Sequence, residues 1–311
     1  MRGLVLKNIG DIDVADLPEP ELSDGEVEVT VRACGICGSD IPRTYDTGAH
    51  IMPLVIGHEF SGVTADGRRV GVFPLIPCEK CEMCRAGHFE LCRHYDYLGS
   101  RCDGGFAEKV AVPEKNLIDL PDEVNFEQAA MLEPMAVAVH AMRRAFAVYG
   151  DDLPESAAVI GTGTIGHLVR MFLEDAGVTE VSQPDTRRED VPEHACDMVF
   201  ECVGKSETYE AALRMARPLG VVMLVGNPHS DMTAKREDYW QILRQELTVL
   251  GTWNSTFPDD WKYAIERVAA GRIHPEGLIT HRFGLSGIKS GFEMMRDKSE
   301  KYIKVMCTMS S

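Results

Sequence analysis

The sequence predicts an α/β protein in which a doubly wound parallel sheet is set into a β-rich chain. Three observations carry that prediction. Short alternating segments fill the first third, a strand, glycine-rich turn and helix open the middle, and the tail returns to strands between helices. The 311 residues allow two ordinary domains, and a 44% hydrophobic content with interspersed charge suits packed cores.

The N-terminus, MRGLVLKNIGDIDVADL, has no long apolar run and predicts a first strand rather than a leader peptide. VEVTVRACGI alternates valine with polar residues up to a Cys-Gly turn. EFSGVTADGRRVGVFPLI predicts two strands joined at Asp66–Gly67, a strong hairpin pair. GGFAEKVAVPEKNLIDLP adds another strand pair, punctuated by Pro113. These segments predict a partly open barrel. Near residue 125 the pattern turns helical, with Asn125 as N-cap of one helix and Pro134 opening the next. AAVIGTGTIGHLVRMFLEDAGVTEVSQPD then predicts strand, turn, amphipathic helix and strand. DMVFECVG and VVMLVGN are apolar runs suited to buried parallel strands, with SETYEAALRMARPLG as the crossover helix. A sheet edge near VVMLVGN would suit pairing across a two-fold axis. PDDWKYAIERVAAGRI (helix), LITHRF (strand), SGIKSGFEMMRD (helix) and YIKVMCTM (strand) complete the first domain.

A net charge of −17 and a pI near 5.0 argue against binding nucleic-acid phosphates. No run approaches the roughly 18 apolar residues of a membrane span. The ten cysteines cluster at two-residue gaps in a long chain, which favours metal in a reducing cytoplasm over disulfides.

GTGTIG places Gly161, Gly163 and Gly166 between a strand and a helix, with Thr164 and Ile165 between the last two glycines. The first glycine permits the tight turn. The second lets backbone approach a pyrophosphate, and the third lets helix and strand pack closely. Asp185, nineteen residues beyond Gly166, stands where an acid meets a ribose 2′-hydroxyl and favours NAD over NADP. Arg187 and Arg188 follow; they could meet a 2′-phosphate or simply be solvated. The bland alternative is a glycine-rich turn without a ligand.

Cys78, Cys81, Cys84 and Cys92 fall within fifteen residues. Four thiolates match a closed tetrahedral zinc site with no position open for substrate, so His88 within the loop is not needed. A second set is dispersed: Cys34, Cys37, His58, Glu59, Glu133 and His140. A catalytic zinc needs about three protein ligands and an open position. Spacing alone does not bring these segments together. Cys34 reads equally well as a core cysteine, and His140 as a hydrogen-bonded helix residue.

GICGSD, GHEFSG, the four-cysteine lobe, DGGFAEKV, EPMAVAVHA, GTGTIG and ELTVLGTW together resemble the zinc-containing medium-chain alcohol and polyol dehydrogenases, nearly end to end. CGSDIPR, GAH, PLIPCEKCEMC and YDYLGSRCDGGFAE are most similar to the galactitol-1-phosphate branch of that family, with sorbitol and threonine dehydrogenases nearby. The resemblance implies a GroES-like catalytic domain (1–148 and 256–311, the zinc lobe at 77–93) around a Rossmann domain (149–255). It implies that Cys37, His58 and Glu59 hold a catalytic zinc, that Glu133 reaches it directly or through water, and that Ser39 relays the substrate proton. It implies structural zinc on the four cysteines, and NAD as the hydride acceptor from a polyol or polyol phosphate. Homo-oligomers, dimers or tetramers, are usual in the family.

Two places are shorter than the family pattern. The excursion between Gly62 and Val70 is reduced to a tight ADGRR turn. After Asp185 only TRREDVPEHA precedes the next strand, too few residues for the family's helix, edge strand and crossover. The sheet is therefore expected to have five strands rather than six, with altered cofactor affinity. Arg43, His50 and Arg101 are candidate phosphate partners or ordinary surface cations. The alternatives are an unphosphorylated polyol or amino-alcohol substrate, and a non-catalytic zinc scaffold that no longer binds cofactor.

Overall fold

The structure, a computed structural model, describes residues 1–187 and 191–309, so Arg188 lies outside the described residues. The chain forms two compact units, Met1–Glu133 with Thr256–Ser311, and Pro134–Ser255. The division falls inside the helix Leu132–Phe146.

The first unit is β-rich. Its main sheet runs Leu117–Asp119, Arg69–Val72, Glu59–Thr64, Glu26–Ile36, Lys304–Thr308 and Ile279–Phe283, and Lys109–Pro113 pairs with the first half of Glu26–Ile36. The two ends of this path are not paired with each other, as a partly open barrel requires. The N-terminal segment forms two strands rather than the single one expected, Arg2–Asn8 and Asp11–Asp16, reversing at Ile9–Gly10. The shortened hairpin closes as a tight turn: Thr64 N donates to Arg68 O at 3.0 Å and Gly67 N to Thr64 O at 2.9 Å. Phe60, Phe106, Phe292 and Ile36 are among the side chains packed into this unit's core. Asn125 caps the helix Phe126–Ala130 in a reciprocal box. Its side chain accepts from Gln128 N at 2.9 Å, while Gln128 Oε1 accepts from Asn125 N at 2.9 Å.

The strand Lys304–Thr308 lies between Glu26–Ile36 and Ile279–Phe283 in the main sheet. It lies antiparallel to the end of Glu26–Ile36 and parallel to Ile279–Phe283, to which the helix Ile288–Asp297 connects it. Val305, Met306 and Cys307 are fully buried there, and Phe292 of that helix joins the same core.

The second unit is a parallel sheet of five strands among the described residues, ordered Glu180–Ser182, Ser156–Ile160, Cys196–Glu201, Ala216–Leu224, Thr248–Gly251. The chain winds outward from Ser156–Ile160 to Glu180–Ser182 and then crosses to the other side, so the strand order reverses between Ser156–Ile160 and Cys196–Glu201. Ligands of such sheets bind at that reversal, beyond the carboxyl ends of the strands. The five-strand count follows from the short segment after Asp185. One expectation needs correction. The VVML run lies in Ala216–Leu224, which is flanked on both sides, so it is interior; the edges are Glu180–Ser182 and Thr248–Gly251. A continuous apolar run marks a strand buried on both faces, and that favours an interior place over an edge. Among the described residues, no helix is long and apolar enough to cross a membrane.

Candidate active site and metal centres

The lobe cysteines converge. Their four ligand atoms lie within 4.8 Å of one another, with Cys81–Cys84 at 3.5 Å and both Cys78–Cys84 and Cys81–Cys92 at 3.9 Å. A zinc–sulfur bond of ~2.3 Å gives a tetrahedron with an edge of about 3.8 Å, so the spacing is that of a metal site. None of the four is in a disulfide. Backbone amides turn towards the sulfurs: Cys78 N and His94 N donate to Cys92 Sγ at 3.3 and 3.4 Å. The amides of Cys84 and Arg93 pull the Cys81 thiol down to about 6. Cys84, desolvated and crowded by Cys81 and Cys92, is pushed up to about 12. Four sulfurs gathered this closely suit a divalent ion. His88 is half exposed at 59% and pairs with Glu90 rather than with the sulfurs.

The dispersed residues converge as well. Cys37, His58 and Glu59 offer ligand atoms all within 4.8 Å of one another. Sheet register brings them together. Gly35 pairs directly with Glu59 across the Glu26–Ile36 and Glu59–Thr64 strands, and Cys37 follows the end of the first strand. A Cβ at Gly35 would stand 2.3 Å from Glu59 Oε2, so a larger residue there would displace that carboxylate. His58 and Glu59 are buried, while Cys37 and Ser39 are half-buried and reachable. A sulfur, an imidazole and a carboxylate form a donor set that zinc accepts, with a fourth position left over.

Three residues not singled out from the sequence hold this set in place. Asp40 is fully buried, accepts from Cys37 N at 3.0 Å, pairs with Arg43, and stands 3.3 Å from His58 Nδ1. The last distance is that of an ion pair rather than a well-aligned hydrogen bond, and it leaves His58 Nε2 for a metal. Burial alone would raise the Asp40 carboxyl, but the charges of His58 and Arg43 and the Cys37 amide hold it below its ordinary value. Burial likewise opposes charge on His58, yet Asp40 and Cys37 push it well above the usual imidazole range. Lys304 is the second. Its ammonium is 3% exposed and donates to Glu59 Oε1 at 2.8 Å, Glu59 Oε2 at 2.5 Å and Ile36 O at 3.1 Å. Tyr97 is the third: its hydroxyl donates to Glu133 Oε1 at 3.1 Å, and its ring meets His58 edge-on at 5.6 Å.

Glu133 is not part of the three-residue group. It is near enough for the charges of His58 and Glu59 to act on it, and burial pushes it up to about 7. Ser39 Oγ donates to Cys37 Sγ at 3.3 Å. Cys34 is a fully buried core residue whose thiol burial pushes well up. His140 lies in the helix Leu132–Phe146 and has partners of its own. Asp40 sits within GICGSD and Tyr97 within YDYLGS, but their polar appearance alone does not reveal burial. Lys304 is a charged residue at the head of an otherwise buried strand, and that interruption was its only sequence signal.

In the second unit Gly161, at φ +123°, turns the chain from Ser156–Ile160 into the helix Thr164–Asp175. A Cβ on Gly166 would stand 2.1 Å from Gly161 O, so the third glycine is fixed by close packing. Gly163 is the N-cap and supplies no side-chain cap, and no acidic residue lies in the first turn, which contains Thr164 and Ile165. The helix therefore presents backbone N–H groups and positive dipole to an anion. Gln183 Nε2 donates to Gly161 O at 2.7 Å, tying the segment that leads to Asp185 to this turn. Asp185 is 24% exposed and engaged by Arg187.

Comparison with known proteins adds the following. Residues 23–122 match the alcohol dehydrogenase GroES-like domain, and residues 157–270 match the zinc-binding dehydrogenase domain. Galactitol 1-phosphate 5-dehydrogenase of Escherichia coli K12 is 32% identical, over 91% of this chain and 92% of that protein. The crystal structure of galactitol-1-phosphate dehydrogenase from Escherichia coli superposes with a TM-score of 0.89 at 30% identity, covering 99% of this chain and 100% of that one. A zinc-binding dehydrogenase from Sinorhizobium meliloti, solved with NADP bound, gives a TM-score of 0.90 at 27% identity, covering 99% of this chain and 98% of that one. With its GroES-like and Rossmann parts, its zinc-shaped clusters and its dinucleotide turn, this chain belongs to the zinc-dependent medium-chain alcohol and polyol dehydrogenases, enzymes that use zinc and a nicotinamide dinucleotide.

Proposed function

We propose that this chain oxidises a secondary alcohol of a polyol phosphate of the galactitol 1-phosphate kind and passes the hydride to NAD. One observation carries the phosphate. His50 N donates to Ser100 O at 3.2 Å, which sets His50 beside Arg101. Burial lowers the affinity of His50 for its proton, and the charges of Arg101 and Arg43 lower it further, so two arginines share one neighbourhood with an uncharged imidazole. Arg43 is held by Asp40, which touches the Cys37 amide and His58, so this neighbourhood adjoins the three-ligand set. Arg101 lies over the Tyr95 ring at 4.6 Å, and its buried Nε has no hydrogen-bond partner among the described residues. Two arginines beside an imidazole, one of them with an unspent donor, suit a phosphate dianion.

In this reading Cys37, His58 and Glu59 hold zinc, with Glu133 as an additional carboxylate in reach. The bound ion supplies Lewis acidity towards the alcohol, and the nicotinamide supplies the hydride acceptor. The chain's own residues do the rest. Asp40 fixes the His58 ring, Lys304 fixes Glu59, and Tyr97 fixes Glu133. Ser39, half-buried beside Cys37, takes the hydroxyl proton of the substrate towards solvent. Cys78, Cys81, Cys84 and Cys92 hold a structural zinc. Gly161 to Gly166 cradle the pyrophosphate, with Asp185 at the ribose. The free thiols suit a reducing cytoplasm, and assembly as a dimer or tetramer completes the reading.

NADH production should be measured with a panel of polyols, polyol phosphates and amino alcohols, with and without chelator. Turnover confined to phosphorylated polyols and abolished by chelator is expected. Arg101→Ala should raise KM for the phosphorylated substrate by about tenfold or more, as loss of a charge-assisted contact predicts, with a smaller effect on kcat. Equal or better turnover of unphosphorylated polyols or amino alcohols would remove the phosphate. No turnover on any substrate, with no quenching of protein fluorescence by NADH, would leave a zinc scaffold.

A further inference from the structure

Asp185 does not present an open carboxylate to the ribose. Arg187 closes over it from two residues away. Arg187 N and Nε both donate to Asp185 Oδ1, at 3.2 and 2.8 Å, and Nη2 donates to Oδ2 at 3.0 Å. An acid at this place normally discriminates between the two nicotinamide dinucleotides in two ways. It accepts from the 2′-hydroxyl, and its negative charge repels a 2′-phosphate. Here a guanidinium carried by the same short segment balances that charge.

The guanidinium is also available. It has five N–H donors and spends two of them on Asp185. Arg187 is 77% exposed and Asp185 24% exposed, and a pair this accessible to water is weak, so it re-forms around an incoming anion at little cost. The position is not arbitrary. Glu180–Ser182 runs parallel to Ser156–Ile160, and Gln183 is bonded to the glycine-rich turn, so Asp185 and Arg187 follow directly from the strand end beside the pyrophosphate cradle. A 2′-phosphate carrying about −1.5 to −2 charges at neutral pH is what such a fork recognises, by two parallel N–H bonds.

We propose that Arg187 is a specificity-determining residue that makes this site accept NADP as well as NAD. The acid at the ribose is retained for the 2′-hydroxyl, and the arginine paired with it serves the 2′-phosphate. The proposal rests on the dinucleotide reading of the Gly161–Gly166 turn but not on any choice of alcohol.

The test is therefore a binding measurement without alcohol. NADH and NADPH are titrated separately into the full-length, zinc-loaded protein, and the fluorescence of the reduced nicotinamide is followed. The wild-type protein should bind both, with dissociation constants within about tenfold of each other. Arg187→Ala should weaken NADPH by about tenfold or more, the range of one lost charge-assisted contact, while moving NADH less than about threefold. Arg187→Lys, which keeps the charge and loses the fork, should fall between the two. NADPH binding ~100-fold weaker than NADH in the wild type would overturn the proposal while leaving the dinucleotide site standing. So would an Arg187→Ala variant that weakens both nucleotides equally. Failure of both nucleotides to bind would overturn it together with the dinucleotide reading.

Discussion

The four-cysteine lobe and the Cys37–His58–Glu59 set each gather metal-binding atoms within 4.8 Å, yet they are assembled in opposite ways. The lobe draws four identical donors from fifteen consecutive residues and orients them with the amides of the same loop. The other set takes three different donors from segments that meet only through sheet register, and buried charges from other parts of the chain hold them in place. The difference suits the roles proposed for the two sites. A saturated site needs only to be closed, and a short loop can close it. A reactive site must keep one position open and resist collapse of its ligands onto one another, so each ligand needs a partner anchored elsewhere.

The largest effect that could break this comparison comes from removing one sulfur. Cys37→Ala should lower NAD reduction by ~10³-fold or more, since a Lewis-acid metal supplies several kcal/mol at about 1.4 kcal/mol per tenfold. Zinc content should fall by one ion per chain, while the thermal melt stays within a few degrees. Cys84→Ala should do the reverse, lowering the melt while the three-ligand set keeps its ion. If the two variants gave the same profile in metal analysis and melting, the division of labour would be wrong.

Lys304→Met sharpens the comparison further. It leaves Glu59 buried without its partner, and removing one member of a buried pair costs about 3–5 kcal/mol. Urea unfolding of the zinc-free variant should show that loss, zinc should restore part of it, and Lys304→Arg should be close to wild type. A Lys304→Met protein as stable as wild type without zinc would show that the pair does not support the site. The smallest effect is expected from Asp40→Asn, which preserves shape and removes the charge facing His58. Metal affinity at the three-ligand set should fall by roughly 10–100-fold in a chelator competition, as for other partners of metal-bound histidines. The lobe should be unaffected. Equal loss from both sites would indicate general unfolding instead.

Where the chemistry is local, the sequence was legible. The Asp66–Gly67 hairpin, the capping box at Asn125, the Gly161–Gly166 turn and the lobe cysteines each depend on residues a few positions apart. Even the five-strand sheet could be counted, because the short segment after Asp185 leaves no room for another crossover. Non-local pairing was hidden. Glu59 and Lys304 are 245 residues apart, and no periodicity links them. The interior position of the VVML strand was misjudged for the same reason, since an apolar run reports burial but not its neighbours. The helix Arg236–Arg244 was passed over in the sequence; it buries Asp238, which Arg214 meets at 2.8 Å, packs Ile242 on the core and leaves Tyr239, Trp240 and Leu243 exposed. Family resemblance supplied Cys37, His58 and Glu59 as a set, which spacing alone left open.

The pairing of Glu59 with Lys304 also sets an order of events during synthesis. Chains emerge from the ribosome N-terminus first, at about 5–20 residues per second. The lobe has all its ligands once Cys92 is outside the exit tunnel, so it can capture metal on the growing chain. The Cys37–His58–Glu59 set has its three donors even earlier, but the ammonium that balances Glu59 follows it by 245 residues. The growing chain is thus able to close its clasp long before the charge of Glu59 is balanced, and that balance waits for the strand Lys304–Thr308.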